Sequence, residues 1–190
     1  MSATVMVDVE HRPVLVGVAR EAVRAGLTGD RPAVPDLSEL PPPLRTPAAT
    51  FVTLRRRGEL LGCIGTMEPR RPLVLDVAHN AAAAAFADPR LPAVTWEDYA
   101  EMAVKISVLG PLEPLPVRSR AELAAALRPG VDGLLVTSGW RRGTFLPSVW
   151  EQVTDADEFL TLLWHKAGLR ADEWPADLVV HRYRTDEFGD

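Results

Sequence analysis

Residues 51–66 constrain the fold of this chain most, because they combine two strand patterns and a tight turn in one continuous stretch. The sequence there is FVTLRRRGELLGCIGT. Apolar and β-branched residues at 51–54 favour a first strand, 56–58 supply turn residues, and 60–64 is apolar enough for a second strand. The stretch therefore predicts a hairpin around which the rest of the chain is organised.

The second strand of this hairpin carries an unusual run, Gly62-Cys63-Ile64-Gly65. Glycine weakens the interior of a strand, so two glycines around one cysteine predict a β-bulge or a close approach by another backbone or a ligand. Both interpretations account for the glycines. The run is a candidate site, with Gly62, Ile64 and Gly65 as candidate binding residues beside Cys63.

Amphipathic patterns and end signals predict several helices and further strands. The predicted helices cover residues 13–25, 72–87, 119–127 and 155–167, with Gly26 and Gly168 as stop signals and Thr95 as the cap of a short helical turn. The predicted strands cover residues 104–109, 133–137, 143–146 and 178–183, and the proline-rich stretch 27–46 is an extended connection. Strands come in pairs rather than alternating strictly with helices, which favours an α+β fold with mainly antiparallel sheets and flanking helices over a doubly wound parallel sheet.

The composition indicates a globular chain with room for one full domain or two small domains that share a core. It has 190 residues, of which 47% are hydrophobic and 25% charged. The formal net charge of -5 disfavours a general nucleic-acid-binding protein, because the release of counterions needs a basic face.

Metal and cofactor signals are absent from the sequence. Cys63 is the sole cysteine, which excludes an intramolecular disulfide and a cysteine-cluster metal site. The histidines lack metal-ligand spacing such as His-x-x-x-His, and we predict no metal site. There is no Gly-x-Gly-x-x-Gly fingerprint, Walker loop or Gly-x-Ser-x-Gly elbow, so the cofactor, if any, is unknown.

Two further absences bear on localisation. The first residues lack the basic-then-apolar layout of a signal peptide. No apolar run approaches the roughly 20 residues that are needed to span a bilayer. These features predict a soluble protein of a reducing cytoplasm.

Cys63 is the candidate catalytic residue, as a nucleophile. A reactive thiolate needs a nearby cation or a helix N-terminus, and a base within hydrogen-bond reach. The candidate helpers are His79, Arg90, Lys105 and His165, all remote from Cys63 in sequence. The alternative is that Cys63 is a small buried hydrophobic residue in a strand, as free cysteines commonly are.

Asp88 and Arg90 lie on either side of Pro89, directly after the helix predicted at 72–87. In one interpretation they are a carboxylate and a guanidinium that face a binding cleft, which makes both of them candidate binding residues. In the other they are a local ion pair that fixes the turn, which is the more common role of such pairs.

Several separated blocks of the chain resemble the AMMECR1 family, in the order in which that family has them. The hallmark of the family is a Leu-Arg-Gly-Cys-Ile-Gly motif, which corresponds to residues 60–65 here. The resemblance covers nearly the whole chain, from about residue 11 to 188. The blocks are residues 50–54, 60–66, 88–92, 106–110, 130–150, 159–169 and 181–185.

The resemblance implies an α+β fold with two subdomains and a cleft between them near the motif. The larger subdomain is expected from both chain ends, about 1–60 and 140–190, and the smaller one from the middle, about 61–139. A Memo-like protein and a radical-SAM protein are implied as partners, since bacterial members tend to accompany them. No reaction is established for the family. The chain is then expected to be an enzyme, or an accessory subunit of one, with a small-molecule cleft at the motif, or alternatively a non-catalytic protein–protein assembly module.

This chain departs from the family motif at Leu61, where the family usually has arginine. A guanidinium is a planar, permanently charged fork suited to carboxylate or phosphate groups. Its loss weakens anion binding through that side chain, unless Arg55, Arg56, Arg57 or Arg90 takes its place in space.

Overall fold

The structure, a computed structural model, describes residues 6–30 and 35–190. The helices in these ranges are α1 (Arg12–Thr28), α2 (Pro42–Arg45), α3 (Leu73–Phe86), α4 (Trp96–Ala100), α5 (Arg120–Ala126) and α6 (Ala156–Ala167). The strands are β1 (Pro47–Ala48), β2 (Thr50–Arg56), β3 (Glu59–Gly65), β4 (Arg71–Pro72), β5 (Met102–Leu109), β6 (Glu113–Pro114), β7 (Gly133–Ser138), β8 (Arg141–Phe145), β9 (Val179–Tyr183) and β10 (Thr185–Gly189).

Two four-stranded sheets, with strand orders β10-β5-β2-β3 and β6-β9-β7-β8, carry most of the strands. The pairings of β2 with β3 and β5, of β7 with β8 and β9, and of β6 with β9 are all antiparallel. The strands β1 and β4 form a separate antiparallel pair. The combination of these sheets with the helices confirms the predicted α+β fold.

The chain divides into two compact units whose boundaries differ from the predicted ones. The N-terminal unit comprises, of the described residues, 6–109 and 186–190, and the C-terminal unit comprises 110–185. The boundary predicted after residue 60 falls inside the hairpin of β2 and β3, and the one predicted before residue 140 falls inside the hairpin of β7 and β8. Paired strands share backbone hydrogen bonds, so each hairpin stays within one unit.

The core of the N-terminal unit lies between its sheet and the helices α1 and α3. Its largest fully buried side chains include Leu15, Val23, Leu54 and Ile106. Helix α1 continues past the predicted stop at Gly26 to Thr28 and ends at Gly29, which has a φ of 77°. A Cβ atom at Gly26 would lie 2.1 Å from the ring of Phe86, so this glycine serves the packing of α1 on α3 rather than helix termination.

The core of the C-terminal unit is built on α6 and the strands β7 and β9. The rings of Trp150 and Phe159 stack with their centroids 4.1 Å apart. The carboxylate of Asp155 accepts hydrogen bonds from the N–H groups of Asp157 and Glu158, and Gly168, the predicted stop signal, ends the helix in the left-handed conformation.

Two stretches depart from the predicted elements. The connection predicted at 27–46 contains a 3₁₀ turn, Leu37–Glu39, and the helix α2, while residues 31–34 lie outside the described residues. Strand β10 was not predicted, because its sequence TDEFG lacks the alternation of apolar and polar residues that marks a strand. Among the described residues, no helix is long and apolar enough to cross a bilayer.

Candidate functional site

The strand β3, which carries the Gly-Cys-Ile-Gly run, contains a β-bulge. In its register with β2, Leu54 is opposite Gly62 while Arg55 is opposite Leu60, so Leu61 is the additional residue. The side chain of Leu61 packs against the core of the N-terminal unit. The predicted bulge is therefore present, immediately before the glycine.

Both glycines of the run are explained by close packing within the chain. A Cβ atom at Gly62 would lie 1.9 Å from the carbonyl oxygen of Ala84, so β3 approaches the backbone of α3 closely there. A Cβ atom at Gly65 would lie 2.2 Å from the ring of Phe51, the residue opposite it on β2. The close approach predicted from the sequence is thus one by another backbone at Gly62 and by an aromatic ring at Gly65.

Cys63 lies on the face of the sheet opposite to α3. Side chains alternate along a strand, so Gly62 and Ile64 face the helix side, where Ile64 packs on the core, and Cys63 faces the other way. The thiol is half-buried, and the hydroxyl of Thr53, directly opposite on β2, donates a hydrogen bond to its Sγ over 3.2 Å. Cys63 thus lies in a strand, as the interpretation of a buried hydrophobic residue expects, but it is half-buried rather than buried.

Asp88 and Arg90 bind the peptide groups of Cys63 at the outer edge of β3. The N–H group of Cys63 donates to Asp88 Oδ2 over 3.0 Å, and Arg90 Nη2 donates to the carbonyl oxygen of Cys63 over 3.2 Å. The strand β3 is the last one of its sheet, and the two side chains take the place that a neighbouring strand would have. The sequence interpretation that kept Asp88 and Arg90 as a purely local pair is incomplete, since both also contact Cys63.

The ion pair itself is a two-pronged fork. Arg90 Nε donates to Asp88 Oδ1 over 2.9 Å and Nη2 to Oδ2 over 2.7 Å. These side-chain hydrogen bonds hold the pKa of the Asp88 carboxyl well below its usual range, although its burial acts in the opposite direction. Asp88 in turn raises the pKa of Arg90, mainly through the same hydrogen bonds. Both groups are therefore charged at neutral pH.

A second charged pair lies on the same face of the sheet as Cys63. Thr53 is opposite Lys105 on β5 as well as Cys63 on β3, so these three residues form a row across the sheet. Lys105 Nζ pairs with the carboxylate of Glu187 on β10, and the hydroxyl of Ser107 donates to the same carboxylate over 3.0 Å. Sequence analysis missed Thr53, Ser107 and Glu187. The alternation along β2 and β5 would have placed the first two on this face, but Glu187 belongs to the strand that was not predicted.

The remaining candidate helpers are placed elsewhere. His79 is an exposed residue of α3, the helix that packs on the other face of the sheet. His165 belongs to α6 in the C-terminal unit. Of the arginines near the motif, Arg56 and Arg57 both pair with Glu101, and Arg55 donates to the carbonyl oxygen of Gly58. Arg90 is therefore the guanidinium that contacts the motif in place of the one missing at Leu61.

A buried carboxylate, Asp76, fixes the ends of the hairpin to α3. Asp76 Oδ2 accepts hydrogen bonds from the hydroxyls of Thr50 and Thr66, each over 2.8 Å, and from Asn80 Nδ2 over 3.0 Å. Arg71 donates to its other oxygen. Breaking any of these contacts would leave the buried charge of Asp76 less well satisfied, which is unfavourable in free energy. The network therefore keeps the start of β2 and the end of β3 attached to α3.

One group of ligand-type side chains does come together, in the 3₁₀ turn before α1. Single donor atoms of Asp8, Glu10 and His11 lie within 4.8 Å of one another. Asp8 and Glu10 are exposed, and exposed acidic groups of this kind are common without a bound ion. We assign no metal to them.

The arrangement at Cys63 suits a thiol that contacts a ligand. Cys63 is half-buried, its strand is fixed from the outside by Asp88 and Arg90, and a hydroxyl donor is in contact with the sulfur. The geometry is compatible with covalent chemistry and with non-covalent binding.

Comparisons with known proteins agree with the fold and with these blocks of sequence. The family model described as AMMECR1 matches residues 16–188. A protein of Methanothermobacter thermautotrophicus is 42% identical over 177 residues, which cover 92% of this chain and 91% of that protein. A protein of Thermotoga maritima is 39% identical over 143 residues, covering 74% of this chain and 77% of its own length. The crystal structure of the uncharacterised protein PH0010 from Pyrococcus horikoshii superposes with a TM-score of 0.89 and 34% identity, covering 98% of this chain and 94% of that one.

Proposed function

The chain belongs to the AMMECR1 family, and on that premise we propose that the sheet face around Cys63 is a small-molecule site at which the thiol contacts or attacks the ligand. The protein is then an enzyme or the accessory subunit of one. The observation that carries this proposal is a set of contacts at Cys63. The buried carboxylate of Asp88 and its partner Arg90 lie at a strand edge and bind the N–H and carbonyl groups of this half-buried cysteine.

The energetic cost of this arrangement supports a functional role. Burying a carboxylate is unfavourable unless its partners compensate for lost hydration. A strand edge can also be protected without a buried charge, by a covering loop or by charged side chains that stay in the solvent. The N–H and carbonyl groups of Cys63 need no buried charge to be satisfied. The need to position the thiol of Cys63 accounts for the buried ion pair at this edge, whereas the stability of the hairpin alone does not require one.

The test is native alkylation of Cys63. Because Cys63 is the sole cysteine, a single mass increase on iodoacetamide treatment reports this residue alone. We expect labelling of the folded protein at a rate comparable to that of the unfolded chain, and none in Cys63→Ser. A native protein that resists labelling would exclude a working thiol.

The proposal includes partners that the family resemblance suggests, a Memo-like protein and a radical-SAM protein. Co-expression of each partner with this chain, followed by purification on a tag of either protein, tests the association. Cys63→Ser serves as the matched variant: an accessory subunit should keep its partner and lose activity of the complex.

A non-catalytic assembly module is the second candidate function, and the turn between β7 and β8 favours it. Trp140 in this turn is 92% exposed, which is unusual for an aromatic side chain outside an interface. If assembly is the function, Trp140→Ala should abolish partner binding while Cys63→Ser has no effect on binding or on any activity. Loss of activity in Cys63→Ser would contradict it.

A further inference from the structure

We infer that the Cys63 site takes an anionic small molecule whose carboxylate or phosphate group binds Arg90, and that Asp88 is the positioning residue that holds Arg90 beside Cys63. This rests on the proposed function, because it assigns a ligand class to the same site. It adds a recognition residue and a charge preference that the family motif, with Leu61 in place of arginine, does not supply.

Asp88 ties Arg90 and Cys63 to each other through one oxygen. Asp88 Oδ2 accepts from the N–H group of Cys63 and from Arg90 Nη2, while Arg90 Nη2 also donates to the carbonyl oxygen of Cys63. The three residues therefore form a closed set of contacts. The position of the guanidinium is fixed relative to the strand that carries the thiol.

Arg90 keeps donor capacity for a ligand. A guanidinium has five N–H donors, and a planar fork of this kind binds carboxylate and phosphate well. Nε and Nη2 are used on Asp88 and Cys63, whereas Nη1 donates to no other residue in the described ranges. The side chain of Arg90 is 60% exposed, so a ligand can reach it from the solvent.

In the two ion pairs near Cys63, the cation is more exposed than the carboxylate. In the pair with Asp88, the carboxylate side chain is 1% exposed and the arginine faces the solvent. Lys105, in the same cross-strand row as Cys63, is 40% exposed against 22% for Glu187. An approaching ligand meets the cations before the carboxylates, and this favours an anion.

Another ion pair of the chain shows what a purely local pair looks like. Asp132, in the C-terminal unit, is fully buried and accepts from the N–H, Nε and Nη2 groups of Arg128, much as Asp88 accepts from Arg90. The side-chain hydrogen bonds of Asp132 all come from Arg128, which closes a turn. Asp88 makes the same fork and adds the bond to Cys63, and this difference is the basis of the assigned role.

The experiment compares the alkylation of Cys63 by iodoacetate, an anion, and by iodoacetamide, its neutral analogue. The ratio of the two rates is normalised to the same ratio in the urea-unfolded chain. We expect the native protein to prefer iodoacetate about 3- to 10-fold, and expect this preference to vanish at an ionic strength of about 1 M, where charges are screened within about 3 Å. Acetate and inorganic phosphate as competitors distinguish a carboxylate site from a phosphate site, because the matching anion slows the alkylation at lower concentration.

Variants separate recognition from folding. Arg90→Gln should lower the normalised ratio to about 1, Arg90→Lys should retain only part of it because an ammonium lacks the bidentate fork, and Arg128→Gln, the matched control, should leave it unchanged. Asp88→Asn removes a negative charge, so the ratio rises if Arg90 keeps its place and falls if Asp88 positions it; we expect a fall. Thermal unfolding of each variant confirms that the readout is taken on folded protein.

The alkylation experiment distinguishes a failure of this inference from a failure of the proposed function. A native ratio of 1, or a ratio unaffected by Arg90→Gln, overturns the anionic ligand while the accessible thiol remains. A rise in Asp88→Asn overturns the positioning role. If neither reagent labels the native protein, the proposed function itself fails, and the assignment of a ligand class fails with it.

Discussion

The residues around Cys63 act mainly on the backbone of β3. Gly62 allows the backbone of α3 to approach the strand, and Leu61 is the additional residue of the bulge. Asp88 and Arg90 bind the N–H and carbonyl groups of Cys63 at the strand edge. Sequence analysis could identify the glycines and the cysteine as unusual, because their spacing in a strand is itself informative. It could not place Asp88 and Arg90 at Cys63, since separations of 25 and 27 residues in sequence carry no geometric information.

Gly62→Ala is expected to destabilise the protein strongly. The added methyl would lie 1.9 Å from a backbone oxygen of α3, and neither the strand nor the helix can move without disturbing the core. We expect a loss of about 2–4 kcal/mol in the free energy of unfolding, measured by urea denaturation.

Gly17→Ala is the matched control. Gly17 is an exposed residue of α1 and an added Cβ would meet nothing within 4 Å, so alanine should stabilise the helix by about 0.5–1 kcal/mol. Equal effects of the two substitutions would contradict the packing explanation for Gly62.

The depressed pKa of Asp88 gives a pH dependence whose sign can be worked out. The unfolded carboxyl, with a pKa of about 3.9, binds a proton before the folded one does, so acid favours unfolding. The stabilising contribution of Asp88 is complete above the unfolded pKa and is lost as the pH falls through that value towards the lower folded pKa. Asp88→Asn should therefore lose less stability than the natural protein between about pH 5 and pH 2. Acid titrations of the two proteins, followed by circular dichroism, measure this loss. An equal loss of stability in both proteins over this pH range would contradict the prediction.

At the level of elements, the sequence predicted most helices and strands because their patterns are local. The capping signals at Asp155 and Thr95 and the alternation in β5 depend on neighbouring residues. The predicted end of α1 at Gly26 is wrong because this glycine makes room for the ring of Phe86, and a contact between two helices leaves no local signal in the sequence. β10 was missed because its place in the sheet depends on pairing with β5, which its own five residues do not encode.

The edge of β3 should become a self-association site when its side-chain contacts are removed. In the double variant Asp88→Ala, Arg90→Ala, the N–H and carbonyl groups of Cys63 are left for water or for another strand. We expect concentration-dependent dimers or larger species in analytical ultracentrifugation. The double variant Asp132→Ala, Arg128→Ala removes a similar pair away from this edge and should sediment like the natural protein.

For the whole molecule, the family resemblance predicted two parts but placed their boundaries within hairpins. The path of the chain accounts for this difference. The chain leaves the N-terminal unit after Leu109 and returns to it at Asp186, so β10 joins a sheet whose other strands precede it by at least 76 residues in sequence. The resemblance implies one part built from both chain ends, but the chain returns at Asp186 rather than at about residue 140.

Removal of residues 186–190 should destabilise the N-terminal unit selectively. Arg12 would lose its partner Asp186 and Arg20 its partner Asp190. Strand β5 would lose β10, one of its two neighbouring strands in the sheet. We expect faster amide hydrogen exchange in β5 and α1, measured by mass spectrometry, with little change in β7 and α6. Uniform acceleration in both units would contradict the division.

The return of the chain also bears on the order of events during synthesis. Residues 110–185 form a contiguous unit and can fold as they leave the ribosome, whereas the sheet begun by β2 stays incomplete until residues 186–190, the last of these to emerge, have left it as well. The usual order, in which the N-terminal part folds first, is therefore reversed for the final step. Until then the edge of β5 is open on the nascent chain, and a stalled or truncated product presents a strand that the finished protein covers.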